Sequence, residues 1–258
     1  SDLCIASSNI TCWGKNTINV VEGSEFSGIN LNAFQEHRLS KGKINYFTTK
    51  VSNVSIFNCH MGLAAKSPNG SLSGGVGFLC AKSVDFKITA SIIGTQGNRY
   101  LSGILETSSG PISIVSCYGN CEDPKASEES IWIVVRWCMA QGRPFVFIGD
   151  HNIDAGEFAN KVMNATSAVP VVSFGKACFS HGGQSCIEFG MVAVGLLCRS
   201  KLFAETMHTS FATHLSPKVT IEVQASQVIG TFLKTNFEPN VAAVTGPQYH
   251  TEIQTSIS

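Results

Sequence analysis

Charge is scarce in this sequence of 258 residues: only 14% are Asp, Glu, Lys or Arg, and eighteen basic side chains balance eighteen acidic ones. Proteins that grip nucleic acid through many phosphates carry a basic excess, so the balance excludes a broad basic surface and leaves weak or local contact. A metal ion can still supply charge at a reacting phosphate on a neutral surface. Runs of eighteen apolar residues are also missing, which excludes a helical membrane segment, and the N-terminus lacks the basic, apolar and small-residue pattern of a signal peptide. We expect an intracellular protein, with the nucleus as a candidate compartment.

None of the ten cysteines forms a C-x-x-C pair, which removes the commonest zinc-site spacing. Scattered through apolar runs, most are expected to be buried thiols in a reducing compartment. Cys117 and Cys121 are close enough to invite a metal or disulfide reading, set against a plain loop location. The Asn-x-Ser/Thr triplets at Asn9, Asn53, Asn69 and Asn164 arise easily by chance and matter only in secreted chains. There is no initiating Met, so we expect a segment of a longer chain.

Apolar residues, by contrast, are plentiful at 43%, enough for one sizeable core. We expect a single domain over 1–258, with its core at about 3–224 and an uninformative tail over 225–258. Strands are predicted at 1–10, 29–34, 76–81, 86–93, 100–106, 112–118, 144–148, 169–174, 187–194 and 219–223. Short gaps over 76–118 suggest antiparallel neighbours. A helix begins at Asp123-Pro124, an N-cap followed by Pro in the first turn, and stops at Gly142. A second helix is expected over 157–164, and a poor one over 15–27. Gly74-Gly75 lacks the Lys-Ser/Thr of a phosphate-cradling loop and reads better as a tight turn.

Four polar clusters stand at the ends of apolar runs: Asn9, Gln35-Glu36-His37, Gly149-Asp150-His151-Asn152 and Thr213-His214. Open α/β sheets place their ligands at strand ends. Each cluster alone has a plainer explanation as a turn, a loop start or a satisfied His. Asn30 and Asn32 interrupt the run before Glu36; they either need buried partners or face a polar cleft while Ile29, Leu31 and Ala33 face the core.

In order, these segments resemble the endonuclease/exonuclease/phosphatase superfamily. Ser8-Asn9-Ile10 is similar to its first-strand Asn motif and Gln35-Glu36-His37 to its metal-binding Gln-Glu pair. Gly74-Gly75-Val76 resembles its Gly-Gly-Val strand start, Tyr118-Gly119-Asn120 a shortened Tyr-x-Pro-Asn, and Gly149-Asp150-His151-Asn152 its Gly-Asp-x-Asn. Towards the C-terminus, Ser185–Phe189 resembles Ser-x-Ile-Asp-Tyr and Thr213–Pro217 resembles Ser-Asp-His-x-Pro. The opening motif and Gln-Glu-His are most similar to non-LTR retrotransposon endonuclease domains.

The resemblance implies a four-layer α/β sandwich of two mixed sheets with helices outside, hydrolysing phosphodiesters with Mg²⁺ or Mn²⁺. Glu36, aided by Asn9, would hold the ion; Asp150 would deprotonate the attacking water. Asn152 and Tyr118 would donate to phosphate oxygens and His214 would contact the scissile phosphate. Glu188 stands where the family's Asp pairs with that His, and works only if the backbone admits one more methylene. Thr213 replaces an Asp that can ligate metal, a neutral hydroxyl being the poorer ligand. DNA is the implied substrate, as for a retroelement endonuclease. The alternatives are a lipid or small-molecule phosphodiesterase of the same fold, or a degenerate non-catalytic module.

Overall fold

The structure is a computed structural model. It describes residues 2–223 apart from 15–16, 19–20, 22–25, 67–69, 90–98, 166–168, 170, 174–177, 181–182, 198–199 and 208–213. Most of the helix expected over 15–27, the end of the strand expected over 86–93, Thr213 and the tail fall outside these residues.

Sixteen strands are described. They are β1 (Leu3–Asn9), β2 (Leu31–Gln35), β3 (Phe57–Met61), β4 (Ala65–Lys66), β5 (Leu72–Ser73), β6 (Val76–Ala81), β7 (Phe86–Ile88) and β8 (Tyr100–Leu105). There follow β9 (Ile112–Tyr118), β10 (Phe145–Asp150), β11 (Val171–Ser173), β12 (Cys178–Ser180), β13 (Gly183–Ser185), β14 (Glu188–Val192), β15 (Ser200–Met207) and β16 (Ser216–Val223). The described helices are α1 (Lys41–Val54), α2 (Pro124–Ala140), α3 (Ala155–Ala165) and the short α4 (Val194–Leu197). None is long and apolar enough to cross a membrane.

Two six-stranded sheets carry the architecture, one ordered β15-β16-β1-β2-β6-β3 and the other β11-β14-β10-β9-β8-β7. Both are mixed: β1 runs parallel to β2, and β10 parallel to β9, while the remaining pairs are antiparallel. The antiparallel meander expected from short gaps holds for β7-β8-β9 but not across the β6–β7 turn. There the chain passes from the first sheet to the second instead of folding back beside itself.

Side-chain alternation sets the layers. Leu3 and Ile5 of β1, Leu31 and Ala33 of β2, Ile112 and Ile114 of β9, and Val146 and Ile148 of β10 fill one buried cluster between the sheets. The opposite faces are covered by helices. Ile131, Val134, Val135 and Cys138 of α2, with Phe158 and Val162 of α3, pack on Phe145, Phe147, Phe189 and Met191. Ile44 and Val51 of α1 pack with Phe34, Phe57 and Leu79. The result is the four-layer α/β sandwich expected from the resemblance. Asp123 caps α2 as read from the sequence, its carboxylate accepting from Ala126 N at 3.0 Å.

Asn32 follows the first alternative, a buried Asn with a partner. It lies on the helix-facing side of β2, buried, and its Oδ1 accepts from Ser8 Oγ at 3.1 Å; Ser8 in turn bonds Ser216 at 2.7 Å. Asn30 uses its Oδ1 to accept from Cys4 N at 2.8 Å. Leu31 and Ala33 do face the inter-sheet core, whereas Ile29 packs in the layer under α1.

Among the cysteines, nine are described and all are free thiols; Cys59, Cys80, Cys117 and Cys138 are buried, while Cys12 and Cys121 are exposed. Cys117 is a strand residue of β9, so the plain loop reading fits Cys121 alone.

Candidate active site

The rows of side chains between the sheets are apolar until their last members. On β1 the inward row runs Leu3, Ile5, Ser7, Asn9; on β10 it runs Val146, Ile148, Asp150; on β9 it runs Ile112, Ile114, Ser116, Tyr118. Since β1 parallels β2 and β10 parallels β9, these rows finish at one end of the sandwich. Register places Asn9 beside Gln35, and Asp150 beside both Tyr118 and Glu188.

Across the gap between sheets the rows meet: Asn9 Nδ2 donates to Asp150 Oδ2 at 2.7 Å. Asn9 Oδ1 accepts from Thr11 N at 2.9 Å, and Asn152 N donates to Asp150 Oδ1 at 3.1 Å. Asn152 Nδ2 donates to Gly119 O at 3.2 Å, tying the loop after β10 to the loop after β9. Burial, and after it the nearby charges of Glu36 and Asp150, push the Tyr118 hydroxyl up, so the strand end of the second sheet lies close to the carboxylate beyond β2. His214 Nδ1 bonds Glu188 Oε1, so the longer Glu does reach the imidazole. All the described candidates, Asn9, Glu36, Tyr118, Asp150, Asn152, Glu188 and His214, therefore belong to one connected cluster.

Gln35 shows why a Gln precedes Glu36. Fully buried, it donates through Nε2 to Ser7 Oγ at 3.0 Å and to Ser116 Oγ at 3.2 Å, linking the two sheets one residue before the carboxylate. It is a structural tie, not a ligand. His37 is structural as well. Leu39 N donates to its Nδ1, so Nε2 carries the proton and donates to Gly62 O at 3.0 Å. Burial pushes His37 down to about 4, outweighing the raising effect of the bond to Gly62. His151 likewise sits in the core, stacked on Phe189 at 3.9 Å with its pKa lowered by burial to about 3.

Strain gathers at the same end. The four described non-glycine residues with positive φ are Thr11, Glu36, Arg38 and Asn152, at 58°, 63°, 52° and 54°, each just beyond a site strand. Such conformations cost free energy and persist where the surroundings fix them. For Glu36 that frame is the Gly74-Gly75 turn, both residues at positive φ, whose carbonyls accept from Arg38 N at 3.0 Å and His37 N at 3.3 Å.

Burial raises Asp150 to about 7; the charge of Glu188 adds to the rise, and the bond from Asn9 opposes it. For His214, burial lowers the pKa, but the hydrogen bond and charge of Glu188 outweigh it and the imidazole is raised. Asp150 is thus poised to hold or lose a proton near neutrality, while His214 is held in its charged form.

Two arginines belong to the site although nothing in the motif pattern singled them out. Arg38 forms an ion pair with Glu36. Arg99 donates to Gly119 O at 2.7 Å, and its guanidinium lies 5.6 Å over the Tyr118 ring. Arg38 lies two residues beyond Glu36, a spacing that could have flagged it; Arg99 had no local signal. The Arg38 contact also tests whether this end suits a metal. Its guanidinium occupies a cation position on the Glu36 carboxylate, and at 44% exposure that side chain is free to leave. Glu36, with the remaining lone pair of Asn9 Oδ1, offers the hard oxygen donors that Mg²⁺ or Mn²⁺ prefers, so the residues fit such an ion.

No protein-family model and no curated protein matches the sequence. Solved structures do. The endonuclease domain of TRAS1, a telomere-specific non-LTR retrotransposon, aligns over 87% of this chain and all of its own, with a TM-score of 0.63 at 14% identity. The AP endonuclease LMAP from Leishmania major aligns over 86% of this chain and 88% of its own, with a TM-score of 0.65 at 12% identity. The human Nocturnin catalytic domain aligns over 86% and 95%, with a TM-score of 0.58 at 14% identity. With two mixed sheets, outer helices and this likeness, the chain has the DNase I-like fold of the endonuclease/exonuclease/phosphatase superfamily.

Proposed function

We propose that the chain is a divalent-metal-dependent phosphodiester hydrolase that cleaves DNA as a retroelement endonuclease does. The observation that carries this reading is the meeting of Asn9 and Asp150 across the two sheets, with Glu36, Tyr118 and the Glu188–His214 pair in the same cluster. Glu36 and Asn9 would hold Mg²⁺ or Mn²⁺, which supplies polarisation of a phosphoryl oxygen and neutralises developing charge. Asp150 takes the proton of the attacking water, oriented by Asn9 and Asn152 N. Tyr118 and the amide of Asn152 donate to phosphate oxygens, and the charged His214, held by Glu188, contacts the scissile phosphate. Arg38 leaves Glu36 when the ion binds.

Nicking of supercoiled plasmid tests this, with each metal and with chelator. Metal-dependent nicking that Asp150→Asn slows by on the order of 10²–10⁴ is expected; a purified, folded chain inert towards both DNA and a generic phosphodiester overturns the enzyme reading.

A second reading rests on the balanced charge: the substrate is a smaller phosphodiester, for which no basic surface is needed. DNA cleavage should fall steeply with added salt, whereas cleavage of a small substrate should barely change.

A further inference from the structure

We infer that Cys178, Glu188 and His214 form a second metal site, selective for Zn²⁺, whose occupation removes the Glu188–His214 pair from phosphate chemistry. The Zn²⁺ binding stands by itself, while the inhibition rests on the hydrolase reading above.

One donor atom from each residue, a thiol sulfur, a carboxylate oxygen and an imidazole nitrogen, lies within 4.8 Å of the other two. The grouping is built by the main chain. Cys178, at the start of β12, forms an antiparallel backbone bridge with His214, and Glu188 opens β14 opposite Asp150. A second observation points to a cation. Glu188 is 1% exposed, its Oε1 is used by His214, and its Oε2 has no hydrogen-bond partner in the protein. A buried carboxylate oxygen without a partner is costly, and a cation is the partner that removes that cost.

The donor chemistry selects the ion. Sulfur, nitrogen and oxygen together suit Zn²⁺, and three protein ligands with one open position are the usual arrangement at reactive zinc sites. Mg²⁺ prefers oxygen alone and gains nothing from the thiol. Ligand atoms around tetrahedral Zn²⁺ stand roughly 3.5 Å apart, so Cys178 Sγ, within 4.8 Å of the other two donors, needs to approach by no more than about an ångström, while His214 Nδ1 and Glu188 Oε1, in contact now, part to admit the ion. Zn²⁺ would take the place of the proton between His214 Nδ1 and the Glu188 carboxylate, whose unpartnered Oε2 supplies the ligand atom, and displace the thiol proton of Cys178, releasing both protons to solvent. Burial raises the Cys178 thiol, with the charges of Glu188 and Asp150 acting in the same direction and Ser185 opposing them. Once coordinated, His214 has no charged form to offer a phosphate.

Cobalt provides the direct test, because a thiolate ligand gives Co²⁺ a near-ultraviolet charge-transfer band. The full chain carrying Cys12→Ser and Cys121→Ser, which removes the thiols that are exposed among the described residues, should bind one Co²⁺ with that band, and Zn²⁺ should displace it. Cys178→Ala should lose the band and bind Zn²⁺ more weakly by on the order of tenfold or more. Cys178→Ser, closer to the native side chain in size, should also lose the band. No band in the parent chain, or a band retained in a folded Cys178 variant, overturns the site. In the plasmid assay at saturating Mg²⁺, Zn²⁺ should inhibit the parent, and Cys178→Ala should need at least about tenfold more Zn²⁺ for the same fractional loss. A band without any Mg²⁺-dependent cleavage sinks the hydrolase reading and keeps the Zn²⁺ site; equal Zn²⁺ sensitivity in parent and variant sinks the proposed link.

Discussion

Two carboxylates at the site are given different tasks, and substitutions should separate them. Asp150→Asn removes the base, with an expected loss on the order of 10²–10⁴ in rate that extra metal does not restore. Glu36→Gln weakens the hold on the ion, so part of its loss should return at high Mg²⁺ or Mn²⁺; metal titrations of both variants check this. In the proposed mechanism ionised Asp150 is the active form, so log kcat/KM should climb with pH up to about 7 and then level off. At higher pH it should fall as His214, raised by Glu188, loses its proton. The acid limb should vanish in whatever activity Asp150→Asn retains.

Linkage gives a second consequence of the same group. Folding raises Asp150 above its unfolded value, so its stabilising share is full below that value and is lost as pH rises through about 7. Asp150→Asn should therefore stabilise the chain by roughly 1–3 kcal/mol near pH 8 and by much less near pH 4, as read from urea unfolding. Asp150, Glu36 and Asn9 were legible in the sequence because each stops an apolar row with a polar side chain. The roles of Gln35 and Arg99 were not, since their partners Ser116 and Tyr118 lie far along the chain.

At the scale of elements, most strands with a buried face were readable, but β3 was missed although it buries Phe57 and Cys59, and so was β15. Strand β15 lies at the edge of its sheet with Phe203 at 56% exposure, so it shows no clean alternation between a buried and a wet face. Helix α1 was missed for another reason. Gly42, Thr48, Thr49 and Val51 disfavour a helix, and only the packing of Ile44 and Val51 under the sheet secures it. The Gly74-Gly75 turn was read correctly as a turn, but its task of shaping the Glu36 loop needed coordinates. A Cβ on Gly75 would lie 2.5 Å from the His37 ring, at φ +88°. Gly75→Ala should cost about 1–3 kcal/mol and raise the Mg²⁺ concentration needed for half-maximal rate. A unaltered metal dependence in that variant would detach the turn from the Glu36 loop.

At the scale of the molecule, the sandwich could be inferred only through ordered motifs, because apolar periodicity does not reveal which strands share a sheet. The transfer of the chain from one sheet to the other between β6 and β7 left no trace in the short turn that makes it.

That the Asn9–Asp150 contact bridges two sheets has a mechanical corollary for the proposed hydrolase: its rate becomes a ruler for their separation. Val146 fills the space between the sheets, whereas Val135 fills the layer between α2 and the second sheet. Trimming either to Ala removes the same atoms and should cost a similar amount, roughly 1–3 kcal/mol. Only Val146→Ala alters the spacing on which the 2.7 Å bond depends, so it should lower kcat/KM several-fold at temperatures where both variants remain folded. Equal losses in the two would mean that the halves of the site ride on their loops and not on the sheets.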